Sequence, residues 1–224
     1  MPIGVTLDEL VLAVRAEIGD STNPAMGIDA LPRFYQVIKR IQETYHMDFD
    51  WPQLIINPTE DIVAGQRYYT FNADVDFARI YTTHVIDGGV WLPMDYGIDP
   101  EHYNSSDSDA GQTESAPRRW VHYGENQFEI WPVPNKATKI KFRCIRALPR
   151  FTAGTDKCVI DSTLLVLTAA AEMLAVSKSE DAKLKLSMAT SHYNRIKGRF
   201  QKDRMFVTNG ALPSRHGSCI RVPR

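Results

Sequence analysis

The sequence predicts an α+β protein: a four-helix bundle with an inserted antiparallel β-sandwich or barrel domain, ending in an extended C-terminal arm. Apolar residues recur at helical spacing in two stretches near the start and two near the end. Between Trp51 and Ile160 short alternating runs are separated by turn residues, which is the pattern of strands. The last residues, 205–224, have glycines and prolines spaced against any helix. The expected organisation is therefore a first helix pair in 1–50, a β domain in 51–160, a second helix pair in 161–204 and an arm in 205–224.

The first helix starts at Thr6-Leu-Asp-Glu9, where the threonine can accept from the amide of Glu9 while that glutamate reaches back. Leu7, Leu10, Val14 and Ile18 form its buried side, and Gly19 suits the C-terminal reversal. After a polar loop over 20–27, a second helix runs from Asp29 with Leu31, Phe34, Ile38, Ile41 and Tyr45 on one face, stopping before Pro52. Four amphipathic helices hide their faces most simply by packing together, with the segment between the pairs set aside as a separate unit.

In that segment Leu54–Ile56, Arg67–Phe71, Arg79–Ile86 and Val90–Leu92 read as strands. Asp87-Gly88-Gly89 predicts a tight hairpin, because glycine supplies positive φ angles. Phe128–Trp131 and Lys139–Ile145 alternate in the same way, with Pro132 and Pro134 ending one strand and setting up a turn. Residues 99–119 have almost nothing to bury and predict a long, projecting, mobile loop. Such a loop is placed to clasp a neighbour or touch what passes through a channel, with Tyr103, Asp107 and Asp109 as its contacts; a tolerated insertion is the bland alternative.

Residues 164–176 are leucine, valine and alanine with hardly a polar stripe, so most of that helix is covered by other protein. The run is too short for a bilayer and Glu172 interrupts it. Asp161 caps its first turn. A capping signal at Ser179 starts the last helix, where Ala182, Leu186, Ala189, Tyr193, Ile196 and Phe200 fall at intervals of four, three, four, three and four.

The net charge of −1 conceals an asymmetry: residues 183–224 hold ten Lys or Arg against Asp203 alone, so residues 1–182 carry −10. Lys185, Arg195, Arg199 and Lys202 are candidate contacts with an acidic protein neighbour, or with the phosphates of duplex DNA. Stackable aromatics are sparse there, which favours the protein contact.

Chemistry finds little support. Cys144, Cys158 and Cys219 are odd in number and form no Cys-x-x-Cys pair, the pattern of a reduced intracellular protein without a metal site. Asp107-Ser-Asp109 with Asp99 and Glu114 lacks the register of a calcium loop, and no two histidines stand at i and i+4. No nucleophile elbow or phosphate-binding glycine loop occurs, and no cofactor is expected. A glycan hydrolase could use an acid pair such as Glu125 and Glu129, although strand alternation already accounts for Glu129. The N-terminus shows no signal-peptide pattern, so cytosolic production is expected.

The order of helix pair, Asp50-Trp-Pro52, Gly65-Gln-Arg-Tyr-Tyr-Thr-Phe71, Gly97-Ile-Asp-Pro100 with Tyr103-Asn104, Pro117-Arg-Arg-Trp120, Glu129-Ile-Trp-Pro-Val-Pro134, the apolar helix Leu164–Ala175 and Asp181-Ala-Lys183 resembles the head-to-tail adaptor (connector) proteins of tailed bacteriophages. The resemblance covers residues 5–204. It implies a non-enzymatic virion protein, assembled in the host cytoplasm, in which a helical bundle carries a β domain. It also implies a ring of about twelve copies beneath the portal protein, joined below to the next tail component (a nozzle or tail terminator) and enclosing DNA without reading its sequence. The C-terminal segment of the family reaches the portal, which here makes Phe206, Leu212, Ile220, Arg221, Val222 and Arg224 the candidate portal-binding arm. The alternative is a DNA-binding protein using the basic last helix and tail. No membrane partner is expected.

Overall fold

In the computed structural model, residues 3–23 and 28–200 are described, together with the backbone of 205–207 and 219–221. The chain divides into two units, Met1–Tyr45 with Phe151–Arg224, and His46–Arg150.

In the first unit the capping box forms as written. The Glu9 N–H donates to Thr6 Oγ1 at 3.3 Å, and the Thr6 N–H donates to Glu9 Oε2 at 3.0 Å, opening α1 (Leu7–Ile18). Gly19 ends it in the left-handed region at φ +79. Residues 4–8 are laced to 154–158: the Gly4 N–H donates to the Cys158 carbonyl, Leu7 N–H to Asp156 and Asp8 N–H to Gly154. A short 3-10 turn then leads into α2 (Leu31–Asp48).

The apolar helix, labelled α4 (Ser162–Val176), is the hub of this unit. It packs against α1 and against the last helix, α5 (Asp181–Phe200), while Tyr45 and Arg40 of α2 reach its Thr168 and Glu172. Leu164, Leu165 and Ala170 are fully buried, each leucine contributing roughly 1.5–3 kcal/mol by leaving water. Tyr35 of α2 donates to Asp8 of α1, and Arg15 sits over the Phe34 ring. On α5 the buried stripe is Ala182, Ala189 and Ile196, at a spacing of seven. Leu186, expected on that face, is 54 % exposed. It stands about 60° from the centre of the stripe at 100° per residue, so periodicity selected the right helix but too wide a face.

The second unit is built on one mixed, curled sheet of eight strands, a half-barrel rather than a sandwich. Its strands are β1 (Ile55–Ile56), β2 (Thr59–Ile62), β3 (Tyr68–Thr70), β4 (Val75–Asp87), β5 (Val90–Tyr96), β7 (Arg119–Tyr123), β8 (Gln127–Trp131) and β10 (Thr138–Arg146). They are ordered β1-β10-β4-β5-β7-β8-β3, with β2 also on β10. Gly88 and Gly89, both at positive φ, join β4 to β5 in the expected hairpin. The sheet is not wholly antiparallel, because β5 and β7 run parallel through Asp95↔Arg119 and Tyr96↔Trp120. The long connection between them is a crossover, which a parallel neighbour requires and a tight turn cannot supply.

One sheet face carries the core, in which Phe71 lies 4.7 Å from Phe128 and 5.5 Å from Phe142, centroid to centroid, and meets Trp120 edge-on. Directly paired residues share a face, so Ile140, Val85 and Leu92 form one row across β10, β4 and β5. Leu92 is 43 % exposed where that row outruns the core.

Candidate functional site

Residues 99–119 do not project. They form a strap over the outer face of β8, beginning with the one-turn helix α3 (Pro100–Tyr103) and including the short strand β6 (Thr113–Glu114), which pairs in parallel with β9 (Val133–Pro134). The indole N–H of Trp131 donates to the carbonyl of Ser106 at 2.9 Å, and Ser106 is buried. Beneath the strap, Arg67 Nε donates to Glu129 Oε1 at 2.7 Å, Tyr103 Oη donates to the same oxygen at 2.7 Å, and Arg67 Nη2 donates to Tyr103 Oη at 2.9 Å. Asp109 completes the cluster as an ion pair with Arg67. Burial alone would lower the guanidinium pKa, but the bonds to Glu129 and Asp109 outweigh it and hold Arg67 above its ordinary value.

Two of the expected loop contacts are therefore turned toward their own sheet. Asp107, the third, accepts from the amides of Asp109 and Ala110 and closes a turn inside the strap. The glycan-hydrolase pair separates in kind: Glu125 is exposed in the β7–β8 turn while Glu129 is buried and bound to Arg67. Cys144 and Cys158 are packed in the interior, and burial raises the Cys144 thiol to about 11 and pushes Cys158 up as well. Among the described residues no group of three or more His, Cys, Asp or Glu is placed to hold a metal, and no helix is long and apolar enough to cross a membrane.

The basic candidates on α5 fare differently from one another. Lys185 is bridged to Glu17 of α1, within its own unit. Arg195 and Arg199 are exposed. With Met188 and His192 these residues fall at intervals of three, four, three and four, a single ridge along α5. The ridge walls a groove of about 370 Å³ whose other side is α4, through Thr163 and Leu167. His192 and Met188 were not singled out in the sequence; the 3-4-3-4 spacing starting from Lys185 is the signal that finds them.

Asp161 fixes the groove's geometry. Its side-chain oxygen caps α4 by accepting from the Leu164 N–H at 3.0 Å and stands 3.0 Å from His192 Nε2, joining the start of α4 to the middle of α5. A second groove of about 220 Å³ lies on the other flank of the same α4 residues, walled by Leu10, Ala13 and Glu17 of α1.

Of the expected arm, Met205–Val207 and Cys219–Arg221 are paired antiparallel through Met205↔Arg221, Phe206↔Ile220 and Val207↔Cys219. These two short strands pair within the chain itself. Phe206, Ile220 and Arg221 are placed by backbone only, and Lys202, Leu212, Val222 and Arg224 lie outside the described residues.

No curated protein matches the chain. The model of the family described as SU10 adaptor protein matches residues 5–212, spanning both units and reaching past the last helix. A match over that length shows the family, and the chain belongs to the SU10 adaptor proteins, which are head-to-tail adaptors of phages.

Proposed function

We propose that the chain is the subunit of a ring, of about twelve copies, that joins the portal to the next tail component and encloses the path of the DNA. The observation that carries this reading is the family match over 5–212, which covers both units. The four long helices act in it as one rigid bundle, and the basic segment after residue 204 is the arm that engages the portal. Repetition of the arm around the ring strengthens attachment through effective concentration. The acid-rich stretch 1–182 is compatible with a wall that repels phosphates and lets DNA slide.

Electron micrographs of the purified chain mixed with its portal should show a ring of added density on one portal face. Deleting residues 205–224 should leave a folded subunit that no longer attaches; docking by the truncated chain would remove the arm assignment. Exposed Arg195 and Arg199 support a second reading, duplex DNA binding. That reading requires affinity that falls steeply with salt, whereas the adaptor reading requires little binding near physiological ionic strength.

A further inference from the structure

We propose that Met47 of one copy plugs the α4–α5 groove of the next, a head-to-tail contact between two different patches of the same chain. The inference rests on the ring reading and adds the surfaces that meet. Met47, in the last turn of α2, is 80 % exposed, and Glu43 one turn earlier and Asp48 beside it are exposed as well. An unbranched, polarizable side chain standing in water within an acidic collar is a plug without a socket. The groove supplies the complement: an apolar lining at Leu167 and Met188, and a wall of His192 and Arg195, continued by Arg199. At about 370 Å³ it has room for a methionine side chain with neighbouring atoms. The collar is negative and the wall positive, so charge steers the plug to the socket and disfavours plug against plug.

The test uses sedimentation velocity of the full chain over a range of concentrations, with Met47→Lys and Met188→Glu as variants. Both positions are exposed, at 80 % and 46 %, so the fold tolerates them, and circular dichroism checks that it does. Wild-type chain should sediment as assemblies larger than a monomer, and each variant alone as a monomer. An equimolar mixture of the two should give a dimer and nothing larger, because each variant keeps the patch the other has lost. If both variants assemble as the wild type does, the plug-and-socket contact is wrong while the ring stands. If only Met188→Glu blocks assembly, the groove takes another segment of the neighbour and the pairing with Met47 is overturned. A wild-type chain that stays monomeric throughout overturns the plug-and-socket contact, while the micrographs with the portal decide the ring reading separately.

Discussion

Arg67 Nε donates to Glu129 Oε1 across 2.7 Å, from the turn before β3 to the centre of β8, and both side chains are largely shielded from water. Alternation along β8 places Glu129 on the face away from the aromatic core, where a carboxylate would ordinarily be solvated. The strap covers that face instead, and Arg67 is the cation that makes its covering tolerable.

Replacing Arg67 by methionine leaves Glu129 shielded and without its cation. Removing one partner of a buried pair costs about 3–5 kcal/mol, and the expected loss lies at the lower end because Asp109 is exposed. Urea denaturation should show the midpoint falling, and limited proteolysis should find new cleavage within 104–112. In the double variant with Glu129→Gln the loss should be smaller than the sum of the two single losses. An unchanged midpoint with an uncut strap would show that the cluster does not hold the segment down.

His46 provides a pH dependence. It is buried, accepts from Arg79 and meets the Arg146 carbonyl; burial first, and Arg79 in addition, lower its pKa in the fold despite that carbonyl. As pH falls, the unfolded chain takes up the proton before the folded one does. The contribution to stability is therefore complete above about pH 6.5 and declines as pH drops toward the folded value. Melting temperature should decrease from about pH 7 to pH 5 in the native chain. His46→Gln, which does not titrate, should flatten that profile whatever it does to absolute stability; an equally steep profile would assign the effect to other groups.

Features written in adjacent residues were legible in the sequence. The Thr6–Glu9 box and the Asp87-Gly88-Gly89 hairpin need no partner elsewhere in the chain, and both formed as read. The strap was not legible, because polar bonds between distant residues, Arg67 with Tyr103 and Glu129, hold it, and a hydrophobic pattern does not register them. β7 was missed for a related reason: Arg119-Trp-Val-His-Tyr123 mixes charge with aromatics, and its parallel pairing with β5 depends on the crossover before it. The groove on α5 escaped because its lining is split between two helices, so Met188 and His192 acquire meaning only beside Thr163 and Leu167.

Gly154 tests the lacing of the N-terminal segment. A Cβ there would collide with the carboxylate oxygens of Asp8, the group that accepts from Tyr35. Gly154→Ala should therefore displace Asp8 and cost about 0.5–1.5 kcal/mol, the net worth of one hydrogen bond. In an Asp8→Ala background the obstruction is gone, and the same substitution should be neutral or slightly stabilising, because alanine restricts the unfolded chain. A cost equal in both backgrounds would place the strain in the loop backbone rather than at Asp8.

Leu186 and Ile196 stand ten residues apart on α5 and separate folding from assembly. Ile196 is 3 % exposed, so Ile196→Ala should cost about 2–5 kcal/mol through lost burial and the cavity left behind. Leu186 is 54 % exposed, and Leu186→Ser should change stability by no more than about 0.5 kcal/mol. Periodicity alone makes the two equivalent, since both fall on the same three-four series, whereas the buried stripe runs through Ala182, Ala189 and Ile196 only. Thermal unfolding of the two variants distinguishes these cases: comparable losses would mean that α5 is rotated so that Leu186 is inside. A Leu186 variant that melts like the native chain but assembles less readily would place this residue, too, at a contact with another molecule.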